Sequence, residues 1–322
     1  MNTINLHQIS AWSPERNKEL IDRALLRIGW TIEDIVSIFK SYTPKSNLGY
    51  FSNTVFLDLG MANRYAQSNH IYSLLYYYSR LSYANFLVRL NAGKHVEFEI
   101  AGKTIETIGT LENSEIGSGY VIRGIEAALV LRNQQALDLY ASIPVSFTEQ
   151  ANQEDIIWET MMYFYQTLLK AEGDQNNAAA AHYQISSLLD WEEYKKYVKV
   201  EGYNSIDVWK DVFEMRKPVV ESQILPVLKI YHRILHNDQQ GYEQAVYEAL
   251  LSWKQYYTMP KYELDGQQFD HSTEPQGYLA LPICAACAYG YENGMRLSTV
   301  ESDYIPKWMI EGQFEGMQLL VS

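Results

Sequence analysis

Apolar residues recur along most of this chain every three to four positions, the spacing that places them on one face of an α-helix. Ser13-Pro14-Glu15 opens the first such run with an N-cap, a proline suited to the first helical position and an acid in the first turn. Leu20, Ile21, Ala24, Leu25 and Ile28 then share a face. Gly29 is expected to end this helix. Thr31 with Asp34 is expected to start a second, running through Ile35, Ile38 and Phe39 and stopping before Pro44. A third helix is predicted from about Leu48 to Ala66. A fourth, with one heavily aromatic face, is predicted from Asn69 to Gly93.

The period then changes. In HVEFEIAGKTIETIGT, Val96, Phe98 and Ile100 alternate with polar residues, Ala101-Gly102 interrupts, and Ile105 resumes. That is a β-hairpin pattern near residues 95–108. A lone hairpin is marginal in water, so it must pack on helices. Helical spacing returns at 120–132, 134–140, 153–170, 177–189, 191–198, 205–217, 221–235 and 239–257. Residues 259–277, MPKYELDGQQFDHSTEPQG, read as a polar loop, and two last helices are predicted at Tyr278–Glu292 and Asp303–Glu311.

Short connections between successive helices predict an all-α fold: antiparallel helical hairpins stacked as a bundle or short solenoid, with one small β-hairpin. No fixed repeat period accompanies them. The stretch 93–119 is the best seam. It divides an N-terminal helical region, 1–92, from a second helical region with the hairpin, 93–322, the two expected to form one compact unit.

Composition narrows the partners. The net charge is −13, and no cluster of Lys and Arg relieves it, which argues against nucleic acid as a partner. Such acidity suits a basic protein partner, or serves solubility alone. The 26 tyrosines against 10 phenylalanines suit half-buried helix faces and contact surfaces. Cys284 and Cys287 are the only cysteines, so no disulfide scaffold is expected and a reducing compartment is. The first twenty residues lack the apolar run of a signal peptide. The longest uncharged stretch, Pro275 to Tyr291, is broken by Pro282 and Gly290 and is too short to span a bilayer. These features predict a cytoplasmic protein with no membrane partner.

Few constellations carry chemistry. His232 and His236 stand one helical turn apart, a zinc-compatible spacing, but Arg233 occupies the place of the metalloprotease glutamate. Asp238 is a weak third ligand, so two surface histidines and no metal are expected. Cys284-Ala-Ala-Cys287 lies in an apolar, alanine-rich helix and reads as small-residue packing. Glu154, Asp155 and Glu159 read as a solvated face. No phosphate-binding glycine loop and no nucleophile elbow occur, so neither catalysis nor a cofactor is expected. Asp207, Asp211 and Glu214 recur at i, i+4 and i+7 and form one acidic stripe, at a cost of a few tenths of a kcal/mol per like-charged pair in an isolated helix. A partner's lysines would offset that cost, although a solvated face explains the stripe as well. Asp190, Glu192 and Glu193 form a second acidic cluster, and Glu263, Asp265, Asp270 and Glu274 a third.

Several stretches carry a resemblance. Leu279-Ala280-Leu281-Pro282, the small-residue helix through Ala288, the turn at Asn293-Gly294 and the step Val300-Glu301-Ser302-Asp303-Tyr304-Ile305-Pro306 resemble the immunity protein 49 family of bacterial polymorphic toxin systems. The helix containing Trp253-Lys254, the hairpin at 95–108 and the turn at Ile143-Pro144 are similar to it too. The likeness is sharp over 240–310 and diffuse over 90–240. It implies an antitoxin that binds a cognate toxin domain, as monomer or homodimer, and covers its active site. If that toxin is a nuclease, its groove is basic, and Asp190, Glu192, Glu193, Asp207, Asp211 and Glu214 are the candidate contacts. Ser302, Tyr304 and Pro306 read as a structural signature. There Ser302 is expected to cap the last helix, Pro306 to sit in its first turn, and Tyr304 with Trp308 to clamp that helix onto the bundle. The competing readings are a tetratricopeptide-like scaffold with a concave peptide groove, and an enzyme built around His232 and His236.

Overall fold

The computed structural model describes residues 1–7, 14–41, 48–111, 117–144, 147, 156–171, 175–189, 217–260, 262–264 and 267–320. Within them the fold is predominantly α-helical, with three two-stranded sheets. The chain begins in β1 (Asn2–Ile4), then forms α1 (Pro14–Ser41), α2 (Leu48–Tyr65) and α3 (Ser68–Leu90). The hairpin β2 (His95–Ile100) and β3 (Lys103–Ile108) follows. Next come α4 (Ser118–Leu131), α5 (Gln134–Ser142), α6 (Ile156–Lys170) and α7 (Gln175–Leu188). A π-turn, Val220–Ile224, leads into α8 (Leu225–Leu235), and α9 (Gln239–Tyr257) follows. A second hairpin, β4 (Tyr262–Leu264) and β5 (Gln267–Phe269), precedes α10 (Leu281–Glu292), β6 (Val300–Ser302) and the short α11 (Lys307–Ile310).

Three helices form the centre. In α3, α4 and α10 apolar residues are buried around the whole circumference, the mark of a helix enclosed by neighbours. Helix α10 packs on α4, and its Cys284, Ala285, Ala286, Cys287 and Ala288 are all fully buried, so small side chains let neighbours approach it on every side. Gly124 on α4 serves the same end, because a Cβ there would lie 2.5 Å from the Tyr140 ring. The other helices surround this centre with one face buried. One apolar cluster runs from Ile4 to Ile310 and draws on both sides of the seam at 93–119.

Helix α1 is continuous through Gly29, where two helices were expected. Ala24, Ile28, Ile32 and Val36 recur every four residues and are buried, and that shared face outweighs the ~1 kcal/mol cost of a helical glycine. Thr31 is no N-cap: its hydroxyl donates to the Arg27 carbonyl (2.9 Å) and to Asp58 (2.7 Å). Asp58, buried on α2, also accepts from Arg27 Nε (2.7 Å). The π-turn before α8 has a covalent cause. Pro226 lacks an N–H and its ring would strike a carbonyl one turn back, so Leu225 N reaches Val220 O instead.

The hairpin lies where the alternation placed it, with His95–Ile100 antiparallel to Lys103–Ile108. Val96, Phe98, Ile100 and Ile105 face the core, and Glu97, Glu99 and Glu106 face solvent. The stretch 259–277, expected to be a loop, instead forms β4–β5 and two 3₁₀ turns. The last helix is shorter than expected and begins at Lys307, with Pro306 as its N-cap.

Arg132 joins three parts of the bundle. It ends α4 in the left-handed conformation (φ 56°). Its guanidinium donates to Met309 O (2.7 Å), to Ile310 O at the end of α11, and to Glu292 on α10 (3.0 Å). Arg132→Met is expected to lower unfolding free energy by about 3 kcal/mol, read from the denaturant midpoint, because charge-assisted donors leave carbonyls behind them unpaired.

Candidate functional site

The signature Val300 to Pro306 organises a clasp between the two ends of the described chain. β6 pairs in parallel with β1, in the register Asn2↔Val300, Thr3↔Glu301 and Ile4↔Ser302. Ser302 does not cap α11, which has no side-chain cap. Its hydroxyl donates to Ile4 O (2.6 Å) and accepts from Tyr304 N (3.2 Å), so it closes the strand pair rather than the helix. The Tyr304 ring is fully buried, and its hydroxyl accepts from His7 N (2.7 Å). That hydroxyl also lies 2.9 Å from His7 Nδ1, and, its acceptor side being used by the backbone, it donates there. Tyr304 therefore packs against the N-terminal segment. Trp308 is half-buried and meets Phe314 edge-on (6.0 Å).

His7 was not singled out in the sequence, yet it is the centre of the clasp. Only 2% of it is exposed. Its ring stacks within 13° of Tyr278 (4.5 Å) and 12° of Tyr257 (5.9 Å). Arg64 donates to its carbonyl (2.6 Å) and Lys254 to that of Asn5 (3.0 Å). Burial, with the charges of Arg64 and Lys254 adding, lowers its pKa to about 4 against an opposing pull from the Ser272 backbone, so the imidazole is neutral. Burial likewise pushes the Tyr304 phenol up to about 12. Glu243 on α9 fixes the approach to β6. Its carboxylate accepts from Ser298 N (3.3 Å) and Oγ (2.7 Å) and from Thr299 N (2.9 Å) and Oγ1. Desolvation raises its pKa, and these hydrogen bonds together outweigh that and lower it.

Asp190, Glu192, Glu193, Asp207, Asp211 and Glu214 lie outside the described residues, as do the helices expected at 191–198 and most of that at 205–217. In the chain they fall between α7 and the π-turn. Of the third acidic cluster, Asp270 caps a 3₁₀ turn by accepting from Ser272 N (3.1 Å), and Glu274 binds His271 and Gln276 Nε2 (2.7 Å). Both are engaged within the protein.

The remaining chemistry is buried or at the surface. Cys284 and Cys287 are free thiols with no exposure. Burial pushes Cys287 up to about 12 and raises Cys284 well above the ordinary thiol value, so neither supplies a thiolate at neutral pH. Both are expected to resist an aromatic disulfide reagent in the native protein and to react fully in denaturant. Glu126, buried on α4, accepts from Tyr165 OH (3.2 Å); burial pushes its pKa up to about 8, against the opposing effects of Arg123 and of that hydrogen bond. An open groove of ≈ 970 Å³ runs between the start of α9 and the β1–β6 pair, lined by Asn2, Gln240, Gln244, Tyr247 and Thr299. Its charged residues, the ion pair Arg233–Asp238 (2.9 Å) and Glu243, are occupied with each other or with the backbone. Among the described residues no helix is long and apolar enough to cross a membrane.

No curated protein and no solved structure matches the chain. A family match begins inside α3 and ends inside α11, taking in the hairpin, the α4–α10 centre and the signature strand β6, while β1 and His7 lie outside it. That match, to Immunity protein 49 over residues 84–309, covers most of the chain and places the protein in that family.

Proposed function

We propose that this protein binds a cognate secreted toxin domain and neutralises it by covering the active site, acting as a stoichiometric antitoxin rather than an enzyme. Membership of the Immunity protein 49 family carries the reading. The net charge of −13 supports a basic partner and extends the proposal to a nuclease, whose phosphate-binding groove the acids would fill. Asp207, Asp211 and Glu214, with Asp190, Glu192 and Glu193, are the proposed contacts. The N-terminal helices act with the family-matched region as one unit, in the cytoplasm, as monomer or homodimer.

The test is co-expression of the C-terminal domain of the polypeptide encoded immediately upstream, with and without this chain. Rescue of growth and a co-purifying one-to-one complex are the expected results. Unrelieved toxicity, or a harmless neighbour, would overturn the antitoxin reading. Reversal of Asp207, Asp211 and Glu214 to Lys, with neutralisation of the other three acids, is expected to weaken the complex and flatten its salt dependence. An unchanged complex would leave the antitoxin role standing and remove these acids from the interface.

A further inference from the structure

Ala24, Ile28, Ile32 and Val36 bury one side of α1, and the side turned away from them is expected to be polar. Leu26 and Trp30 occupy it instead, one turn apart, 52% and 58% exposed. At about 100° per residue, Trp30 lies directly opposite the middle of the buried stripe. Single exposed apolar residues are ordinary, but an aligned leucine and tryptophan make a patch. Its rim is acidic. Asp22 stands one turn before Leu26, and Glu33 and Asp34 one turn after Trp30, all three exposed. The neighbouring cations are engaged within the chain, Arg23 with Glu19 and Arg27 with Asp58 (2.7 Å). Among the described residues Asp22, Glu33 and Asp34 pair with no cation. Arg27 and Thr31, on either side of Trp30, both bind Asp58 of α2, so the helix that presents the patch is held in place before any partner arrives.

We propose that Leu26 and Trp30 anchor the toxin domain, entering an apolar socket ringed by its basic residues, and that α1 is thereby a contact additional to the acids at 190–214. This rests on the antitoxin reading above. An apolar centre inside a charged rim is the anatomy of a binding hot spot, and tryptophan is among the residues most enriched there. The rim selects the occupant. A second copy of the chain would set the same three carboxylates against its own, and nucleic acid or an anionic bilayer would be repelled as well. A basic protein surface is attracted by the rim, and the net charge of −13 favours its approach. Helix α1 ends at Ser41, well before residue 84 where the family match begins, so family membership alone does not imply this contact.

The experiment is calorimetric titration of the full chain with the toxin domain encoded upstream, separated from the co-purified complex. Trp30→Ser is expected to weaken binding by about thirtyfold or more and Leu26→Ser by about tenfold. Leu251→Ser, at an exposed leucine of α9, is the control and is expected to leave affinity unchanged. Glu33→Lys with Asp34→Lys is expected to weaken binding by about tenfold at low salt and by less at high salt. Both anchors are exposed, so the variants are expected to keep the parent's thermal midpoint. In the parent chain labelled with fluorotryptophan, the ¹⁹F signal of Trp30, assigned by its loss in Trp30→Phe, is expected to shift and to lose its solvent dependence when the toxin binds. Failure to form any complex would overturn this inference together with the antitoxin reading. Parent affinity in a folded Trp30→Ser protein would overturn the inference alone, and so would a homodimer that Trp30→Ser dissolves, since a second copy would then be the occupant.

Discussion

The Gly60→Ala protein is expected to be less stable than the parent by about 3 kcal/mol and to have a looser C-terminal third. Gly60 faces the turn at Pro275 across the α2 interface. A Cβ there would lie 1.9 Å from the Pro275 carbonyl oxygen and 2.6 Å from its carbon. The obstacle is backbone, so no side chain can swing aside, and the 3₁₀ segment Pro275–Tyr278 would have to retreat. That segment is tied down by Trp253 Nε1 donating to Gly277 O (3.0 Å) and by Asn63 Nδ2 donating to Tyr278 O (2.6 Å). It also carries the ring stacked on His7, so a displacement there reaches the clasp. Gly29→Ala is the matched control. Nothing lies within 4 Å of a Cβ at that position, so the alanine gains helix propensity and is expected to stabilise by about 0.5–1 kcal/mol. Urea midpoints of the two variants should move in opposite directions. Equal shifts would mean that the α2–Pro275 contact does not constrain the fold.

The dependence of stability on pH is expected to have three regimes, each traceable to named groups. Glu126 ionises near 8 when folded and near the ordinary 4.5 when unfolded. Between those values the folded state holds the extra proton, so this group removes stability as pH rises, at up to about 1.4 kcal/mol per pH unit. His7 acts with the opposite sign: the unfolded state binds the extra proton from about 4 to 6.5, so stability rises with pH across that interval. The two contributions oppose each other from 4.5 to 6.5, and that of Glu126 stands alone from 6.5 to 8. Above pH 10 a third effect takes over. Tyr165 and Tyr231 are pushed well above their ordinary value by burial, and Tyr78, Tyr140 and Tyr242 also rise, so unfolding releases several phenolic protons at once. Glu126→Gln keeps an acceptor for Tyr165 and removes the charge. It is expected to abolish the decline between pH 6.5 and 8 and to make the variant more stable than the parent at pH 8. Parallel curves for parent and variant across that window would sink this assignment.

The helices were largely legible because their signal is periodic and local. Helix α9 begins and ends where its pattern does, at Gln239 and Tyr257, and the first hairpin follows its alternation. What escaped was non-local or short. Strands of three residues, such as β1, β4, β5 and β6, carry no period to read, and β1 finds its partner some 298 residues away. Gly29 misled because a local penalty was outweighed by a buried face formed with α2. Ser302 carried a cap signature, but its hydroxyl serves a carbonyl from the other end of the chain. The histidine pair on α8 was legible, and its neighbour His182 was not, since no spacing connects positions 182 and 232. The acidic candidates between 190 and 214 are the part on which the described structure adds only their flanking helices.

The pairing of β1 with β6 bears on how the protein is made. A ribosome delivers the N-terminal segment first, and its strand partner and the Tyr304 hydroxyl emerge only after some three hundred further residues. Until then Ile4 lacks its strand partner and His7 the Tyr304 hydroxyl, and the segment remains open to chaperones and peptidases. Closure of so long a loop is entropically costly and late, so the clasp forms after the helical centre has condensed. A chain cut short before Val300 can thus assemble much of its bundle while leaving its leading strand unpaired, which gives quality-control proteases a direct mark of incomplete synthesis.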